Sequence, residues 1–197
     1  MTHVYFIRHC QPDTSVHDDL SRPLTEKGLA DRKLVSEYLS DKDIHVVLSS
    51  PYRRAVDTVG QFAAQRNLTV ITMEQLRERR VGDAWIDDFM DYAQRQWEDH
   101  DYALENGECL REVESRVQHA LKKILLKYQD QNIAIGFHGT ALCTIIHHYH
   151  PDFGFEDFKA MCAMMPWAVH FTFDQEDCVS IESYDFVNSC KRNIMST

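Results

Sequence analysis

Two histidines, two arginines and a carboxylate follow four apolar segments of this 197-residue chain. They are Arg8, His9, Arg54, Glu78 and His138. In an open α/β sheet, ligands bind outside the carboxyl ends of the strands, so residues that follow strands meet at one edge. We therefore expect these five side chains to lie close together, although any one of them alone could have a purely structural role.

These residue types have complementary roles in phosphoryl transfer. A neutral imidazole is a nucleophile toward phosphorus when a hydrogen bond to its other nitrogen fixes the tautomer. Arginines and a second histidine supply donors for the anionic phosphoryl group, and a carboxyl group gives the leaving oxygen its proton. The set predicts chemistry on His9 that needs neither a metal ion nor a cofactor.

Short apolar runs rich in β-branched residues predict strands that are covered on both faces. These runs are residues 2–8, 44–50, 68–73 and 133–137. Two further strands are predicted at 168–173 and 179–186. Because helical segments alternate with the strands, we predict a three-layer α/β/α sandwich around a mainly parallel sheet.

The first predicted helix follows Thr25 and carries its apolar side on Leu29, Leu34, Val35, Tyr38 and Leu39. Ser50 as N-cap and Pro51 at the first helical position predict a second helix that ends near Gln65. Apolar periodicity predicts later helices at about 108–128 and 141–148, and an inserted, partly helical segment at about 83–106. We expect a single domain over 1–190 and a loose tail at 191–197.

Composition restricts the partners that we expect. The formal charge of −10 argues against a general nucleic-acid surface, because binding a polyanion needs clustered Lys and Arg. No segment approaches the roughly 20 apolar residues that span a bilayer, and no secretory leader precedes Arg8, so we predict a cytoplasmic protein without a membrane partner. The six cysteines are expected to be reduced. We interpret HHYH at 147–150 as a helix end and not as a metal site.

Several motifs occur in the order and approximate spacing of a known family. They are IRHC at 7–10, RPLTEKG at 22–28, SSPYRRAVDT at 49–58, LRERRVG at 76–82, GECLREVESRV at 107–117 and GFHGTA at 136–141. Together they resemble the histidine phosphatase superfamily, also called the phosphoglycerate mutase-like family, over nearly the whole chain. The resemblance implies a phosphoglycerate mutase-like fold.

The resemblance also implies a role for each matching residue. His9 would be the phosphohistidine-forming nucleophile, and Glu78 would be the proton donor, with Glu74 as a nearby alternative. The residues that would bind the substrate are Arg8, Arg54, His138, Arg53, Gln11 and Arg22. Two positions depart from the family pattern: Cys10 replaces the usual glycine, and the asparagine that often follows has no counterpart in PDTSVHDD.

The resulting hypothesis is a metal-independent phosphatase of the histidine acid phosphatase type, acting on a small phosphorylated metabolite. A phosphoglycerate-type mutase would use the same residues, and Cys10 leaves open a catalytically silent module that only binds phosphate or a phosphoprotein. The substrate itself depends on how residues 11–22 and 83–106 fold over the pocket. Apolar surface on the insertion or the last strands could support a homodimer.

Overall fold

A seven-stranded sheet separates two layers of helices in this chain, for which a computed structural model describes residues 1–83 and 85–196. Ala84 of the predicted insertion and Thr197 of the predicted tail lie outside the described residues. The three-layer α/β/α fold predicted from the sequence is confirmed. The strand order is β3-β2-β4-β1-β5-β6-β7.

The strands fall into a parallel half and an antiparallel half. Their bounds are β1 Thr2–Arg8, β2 Val46–Ser49, β3 Val70–Thr72, β4 Asn132–Phe137, β5 Trp167–Asp174, β6 Asp177–Asp185 and β7 Cys190–Ser196. The first four pair in parallel, whereas β5, β6 and β7 each run antiparallel to the preceding strand of the sheet. The sheet is therefore mixed and not mainly parallel, because the last three strands are joined by short turns and not by helices.

The residues that the structure describes form six α-helices, which lie on the two sides of the sheet. Their bounds are α1 Glu26–Leu39, α2 Arg53–Gln65, α3 Phe89–Glu98, α4 Leu110–Lys127, α5 Gly139–Tyr149 and α6 Phe155–Cys162. Helices α1 and α2 share one core with sheet residues such as Tyr5 and Val47. The larger core on the other face packs α4, α5 and α6 against residues such as Phe6, Ile135 and Phe171. Within the described residues, no helix is long and apolar enough to cross a membrane.

Helix α2 starts later than the sequence predicts. Its first residue is Arg53 and its N-cap is Tyr52, so Ser50 and Pro51 lie in the connection between β2 and the helix. The Ser50 hydroxyl contacts His138 Nε2 at 2.7 Å and accepts the amide of Tyr52, which precedes the helix, at 3.2 Å. A serine with a helix-start signature is thus used by the candidate site.

Three further predictions about the elements are wrong. The strand at 68–73 is an edge strand that is open on one side, and its Ile71 is exposed. Leu29 and Leu34 are exposed on α1, because the side of that helix that meets the core carries Val35 and Leu39. Residues 191–196 of the supposed loose tail belong to β7, since the backbone of this strand pairs with β6 over Ser180–Asp185 although none of its side chains is fully buried.

Candidate active site

The parallel pairing of β1 and β4 brings the two predicted site histidines together. Arg8 is in register with Phe137, so His9 and His138 follow the two strands at the same level of the sheet. Their ring centroids are 5.4 Å apart. Arg8, Arg54, His9 and His138 are each no more than 8% exposed. The carboxyl edge of the parallel strands thus forms an enclosed, strongly basic group of side chains.

His9 is held in one neutral tautomer. Its Nδ1 lies 2.8 Å from the carbonyl oxygen of Cys10. Because a carbonyl can only accept, Nδ1 carries the proton and Nε2 keeps a free lone pair. Burial lowers the pKa of His9 well below 6.5, and the charges of Arg54 and Arg8 lower it further. The imidazole is therefore neutral, and its nucleophilic nitrogen is available at neutral pH.

His138 lies at the start of α5 and is completely buried. Burial, followed by the charge of Arg54 and by His9, also lowers the pKa of His138 well below 6.5. Its Nε2 contacts the Ser50 hydroxyl, whereas its Nδ1 has no hydrogen-bond partner within the described part of the chain. A buried polar atom without a partner costs about 1–3 kcal/mol, so Nδ1 marks a place where a polar ligand atom would be stabilised.

Arg8 joins the site to helix α6. Its Nη1 donates to the carbonyl oxygens of Met161 at 2.7 Å and Met164 at 2.8 Å. Its Nε is buried and finds no partner among the described residues. A Cβ on Gly139 would lie 3.1 Å from this Nε, so glycine lets the guanidinium lie against the start of α5. Arg8 thus keeps one buried donor free while Nη1 is used for anchoring.

Arg54 is 3% exposed and faces the loop that follows β1. Its Nη1 donates to the carbonyl oxygen of Asp19 at 2.7 Å, and its Nη2 lies 3.2 Å from the Asp19 carboxylate. The neighbouring Arg53 is outside this group: its side chain is exposed and its Nε lies 3.4 Å from Asp57. Successive residues on a helix point about 100° apart, so only one of the two arginines can face the edge of the sheet.

Glu78 is bound at the N-terminus of α5. Its carboxylate accepts the amides of Thr140, Ala141 and Arg79, all at 2.8–2.9 Å. This position is two residues from His138. Glu74, the alternative acid, is exposed on a short 3₁₀ helix and pairs with Arg77 at 3.6 Å. The structure therefore brings Glu78, and not Glu74, to the start of the helix that carries His138.

Sequence reasoning missed the residues that hold the Glu78 loop. Glu108 accepts both terminal nitrogens of Arg77, two nitrogens of Arg116, and the amide of Arg80 at 2.9 Å. Burial raises the pKa of Glu108, but these hydrogen bonds outweigh it and lower the pKa to about 2. Glu108 and Arg116 both lie in the GECLREVESRV motif, so the motif was visible although its role was not.

The other predicted substrate residues lie in the loop above the site. The carbonyl oxygen of Gln11 accepts the amide of Thr25 at 3.0 Å, and the Gln11 side chain is exposed. Arg22 lies within the loop, where its Nη1 donates to Asp19 at 2.8 Å. Asp19 was not predicted as a site residue, because nothing in its sequence neighbourhood indicates that it reaches Arg54. No group of three or more potential metal ligands occurs among the described residues.

Comparisons with known proteins agree with this fold. A model of the "Histidine phosphatase superfamily (branch 1)" matches residues 4–179. The "Uncharacterized phosphatase PhoE" of Bacillus subtilis (strain 168) is 26% identical over 150 residues, which cover 74% of this chain and 76% of that protein. "Phosphoserine phosphatase 1" of Hydrogenobacter thermophilus is 26% identical over 155 residues, which cover 70% of this chain and 71% of that protein.

A solved structure shows the same architecture. "Bacillus stearothermophilus YhfR" aligns with a TM-score of 0.74 at 22% identity, over 90% of this chain and 94% of that chain. At that identity the likeness establishes the fold, whereas the family assignment depends on the match over residues 4–179. This chain therefore belongs to branch 1 of the histidine phosphatase superfamily.

Proposed function

We propose that this protein is a metal-independent phosphatase of the acid phosphatase type, which hydrolyses a small phosphomonoester through a phosphohistidine on His9. The observation that carries the proposal is the fixed tautomer of His9, whose Nδ1–H donates to the Cys10 carbonyl at 2.8 Å. This leaves Nε2 as a neutral nucleophile inside a basic pocket. Burial and the charges of Arg54 and Arg8 lower the pKa of His9, which favours the unprotonated, nucleophilic imidazole.

The phosphoryl oxygens would be held by donors that have no partner now. Nε of Arg8 and Nδ1 of His138 are both buried and unpaired among the described residues. Ser50 already accepts an amide, so its hydroxyl proton can go to Nε2 of His138, which leaves the His138 proton on Nδ1. Arg54 adds a guanidinium, the group that binds phosphate through two parallel hydrogen bonds. Together these donors would stabilise charge on the transferred phosphoryl group.

The reaction would proceed in two steps on this edge of the sheet. Nε2 of His9 attacks phosphorus, and the bond to the ester oxygen breaks as Glu78, acting as the general acid, gives that oxygen a proton. In the second step Glu78 takes a proton from water, which attacks the phosphohistidine and releases inorganic phosphate. Asp19 of the loop at residues 13–22 contacts Arg54, and Trp85 of the insertion stacks on His17 of that loop, which favours a small substrate. The Hydrogenobacter relative is named as a phosphoserine phosphatase.

The first test is hydrolysis of an aryl phosphate in the presence of a metal chelator. We expect wild-type turnover to continue with chelator and the His9→Ala variant to lose at least about a thousandfold in kcat, because no other nucleophile replaces the imidazole. His3→Ala is the matched control, since His3 lies at the opposite end of β1. Full activity of His9→Ala would refute the mechanism, and loss of activity on chelation would indicate a metal enzyme.

Two further measurements separate the alternatives. Phosphate release from 3-phosphoglycerate without formation of its isomer supports a phosphatase over a mutase. Tight binding of phosphate without any turnover would instead identify a silent binding module.

A further inference from the structure

The loop over the candidate site is a folded unit with its own internal contacts. The two ends of the loop at residues 13–22 lie close together, because the amide of Asp13 donates to the carbonyl oxygen of Pro23, the next residue after the loop, at 2.9 Å. Inside the loop, Arg22 donates to the carbonyl oxygens of Val16 at 2.6 Å and His17 at 3.0 Å. A compact loop whose ends meet can move as one body and is often functional.

This loop is fastened to the start of α2 by three contacts. The amide of Arg53 donates to Leu20 at 3.0 Å. The two terminal nitrogens of Arg54 are directed at Asp19, one at its carbonyl oxygen and one at its carboxylate. The carboxylate and the main-chain carbonyl of Asp19 therefore share the guanidinium fork that a phosphoryl group would use.

The loop also contacts the insertion on its other side. The ring of His17 stacks on Trp85, with centroids 4.3 Å apart and planes 9° from parallel. The guanidinium of Arg22 lies 5.4 Å from the centre of the same indole ring. Trp85 is about half exposed, so its fluorescence would report a movement of the loop.

We propose that Asp19 is an internal competitor of the substrate: its carboxylate binds Arg54 in the free protein, and an incoming phosphoryl group displaces it and releases the loop. This inference rests on the proposed function, because it takes Arg54 as a phosphate ligand. A phosphoryl dianion carries twice the charge of the carboxylate and can also bind the free donors of Arg8 and His138, so it wins the competition for Arg54.

Displacement costs Asp19 little. Its Oδ1 also accepts Arg22 Nη1 at 2.8 Å, so the carboxylate keeps one arginine partner after it leaves Arg54. Its side chain is already 41% exposed and can regain water. By contrast, Arg54 is 3% exposed and would be left as a buried, unpaired charge if nothing replaced Asp19. The contact therefore keeps Arg54 paired without a substrate and yields to one.

The test is the affinity for inorganic phosphate, measured by titration calorimetry on the full chain. We expect Asp19→Asn to bind phosphate on the order of tenfold more tightly than the wild type, because the competing charge is removed. The control is Asp18→Asn, which makes the same charge change one residue away. Its carboxylate contacts Ser21 within the loop, so its affinity should equal that of the wild type. Thermal unfolding of both variants verifies that each is folded.

Each outcome decides the proposal. Weaker phosphate binding by Asp19→Asn would show that Asp19 positions Arg54 for phosphate, and unchanged binding would show that the two groups do not compete; either overturns it. The absence of phosphate binding in both the wild type and Asp19→Asn overturns the proposal as well. A phosphate-dependent change in Trp85 fluorescence that is lost in Trp85→Phe supports release of the loop. Binding needs no turnover, so the inference can hold even if hydrolysis is never observed.

Discussion

Cys10 occupies the position where the family usually has glycine, and its environment explains why a side chain is accepted. It is completely buried in the core shared with α1 and α2. Its amide donates to the Thr58 hydroxyl at 3.0 Å. Burial raises the pKa of the Cys10 thiol to about 12. Cys10 therefore acts as a small apolar core residue and not as a reactive thiolate beside the proposed phosphate pocket.

Replacing this residue should change stability more than activity. We expect Cys10→Gly to lower the free energy of unfolding by about 1–3 kcal/mol, since it empties a buried site and adds backbone freedom. Its kcat/KM for an aryl phosphate should stay within about threefold of the wild type. Urea unfolding and steady-state kinetics check the two halves. A large rise in kcat/KM would mean that the cysteine obstructs the pocket.

At the scale of elements, α2 must approach β4 closely to bring Arg54 to the site. Gly136 makes this approach feasible: a Cβ there would lie 2.7 Å from the Ala55 carbonyl oxygen and 2.8 Å from the Ser49 hydroxyl. Such distances are well below van der Waals contact. The glycine in GFHGTA thus has a packing role that is separate from the chemistry of His138.

Two glycine substitutions test this packing. Gly136→Ala should destabilise the fold by about 1–3 kcal/mol and lower phosphate affinity, because α2 and Arg54 must shift. Gly60→Ala is the matched control on α2: its Cβ would meet nothing within 4 Å, and it should stabilise the helix by up to about 1 kcal/mol. Thermal unfolding distinguishes the two directions. Equal stability of Gly136→Ala and the wild type would contradict the packing argument.

For the whole molecule, the parallel half was more predictable than the antiparallel half. Strands β1 and β4 are short apolar runs, and the rule that ligands bind at carboxyl ends brings His9 and His138 together without any long-range information. The strand β7 was missed because its side chains are mostly polar or exposed, and its pairing with β6 is a backbone interaction that leaves little pattern in the sequence.

Contacts between distant charged residues were equally hidden from the sequence. Glu108 pairs with Arg77 across 31 positions, and Asp19 reaches Arg54 across 35. Any of the chain's many acidic residues could have been the partner, and only the tertiary fold selects one. The sequence therefore predicted the groups proposed to do the chemistry, but not those that hold or compete for them.

The most direct test of the account is to trap the phosphorylated protein. The full chain is mixed with an aryl phosphate, quenched rapidly in alkali, where phosphohistidine persists, and digested for mass spectrometry. The account predicts a phosphoryl group on Nε2 of His9, absent from His9→Ala and formed at a rate no slower than turnover. Turnover without this label, or a label on another residue, would contradict it.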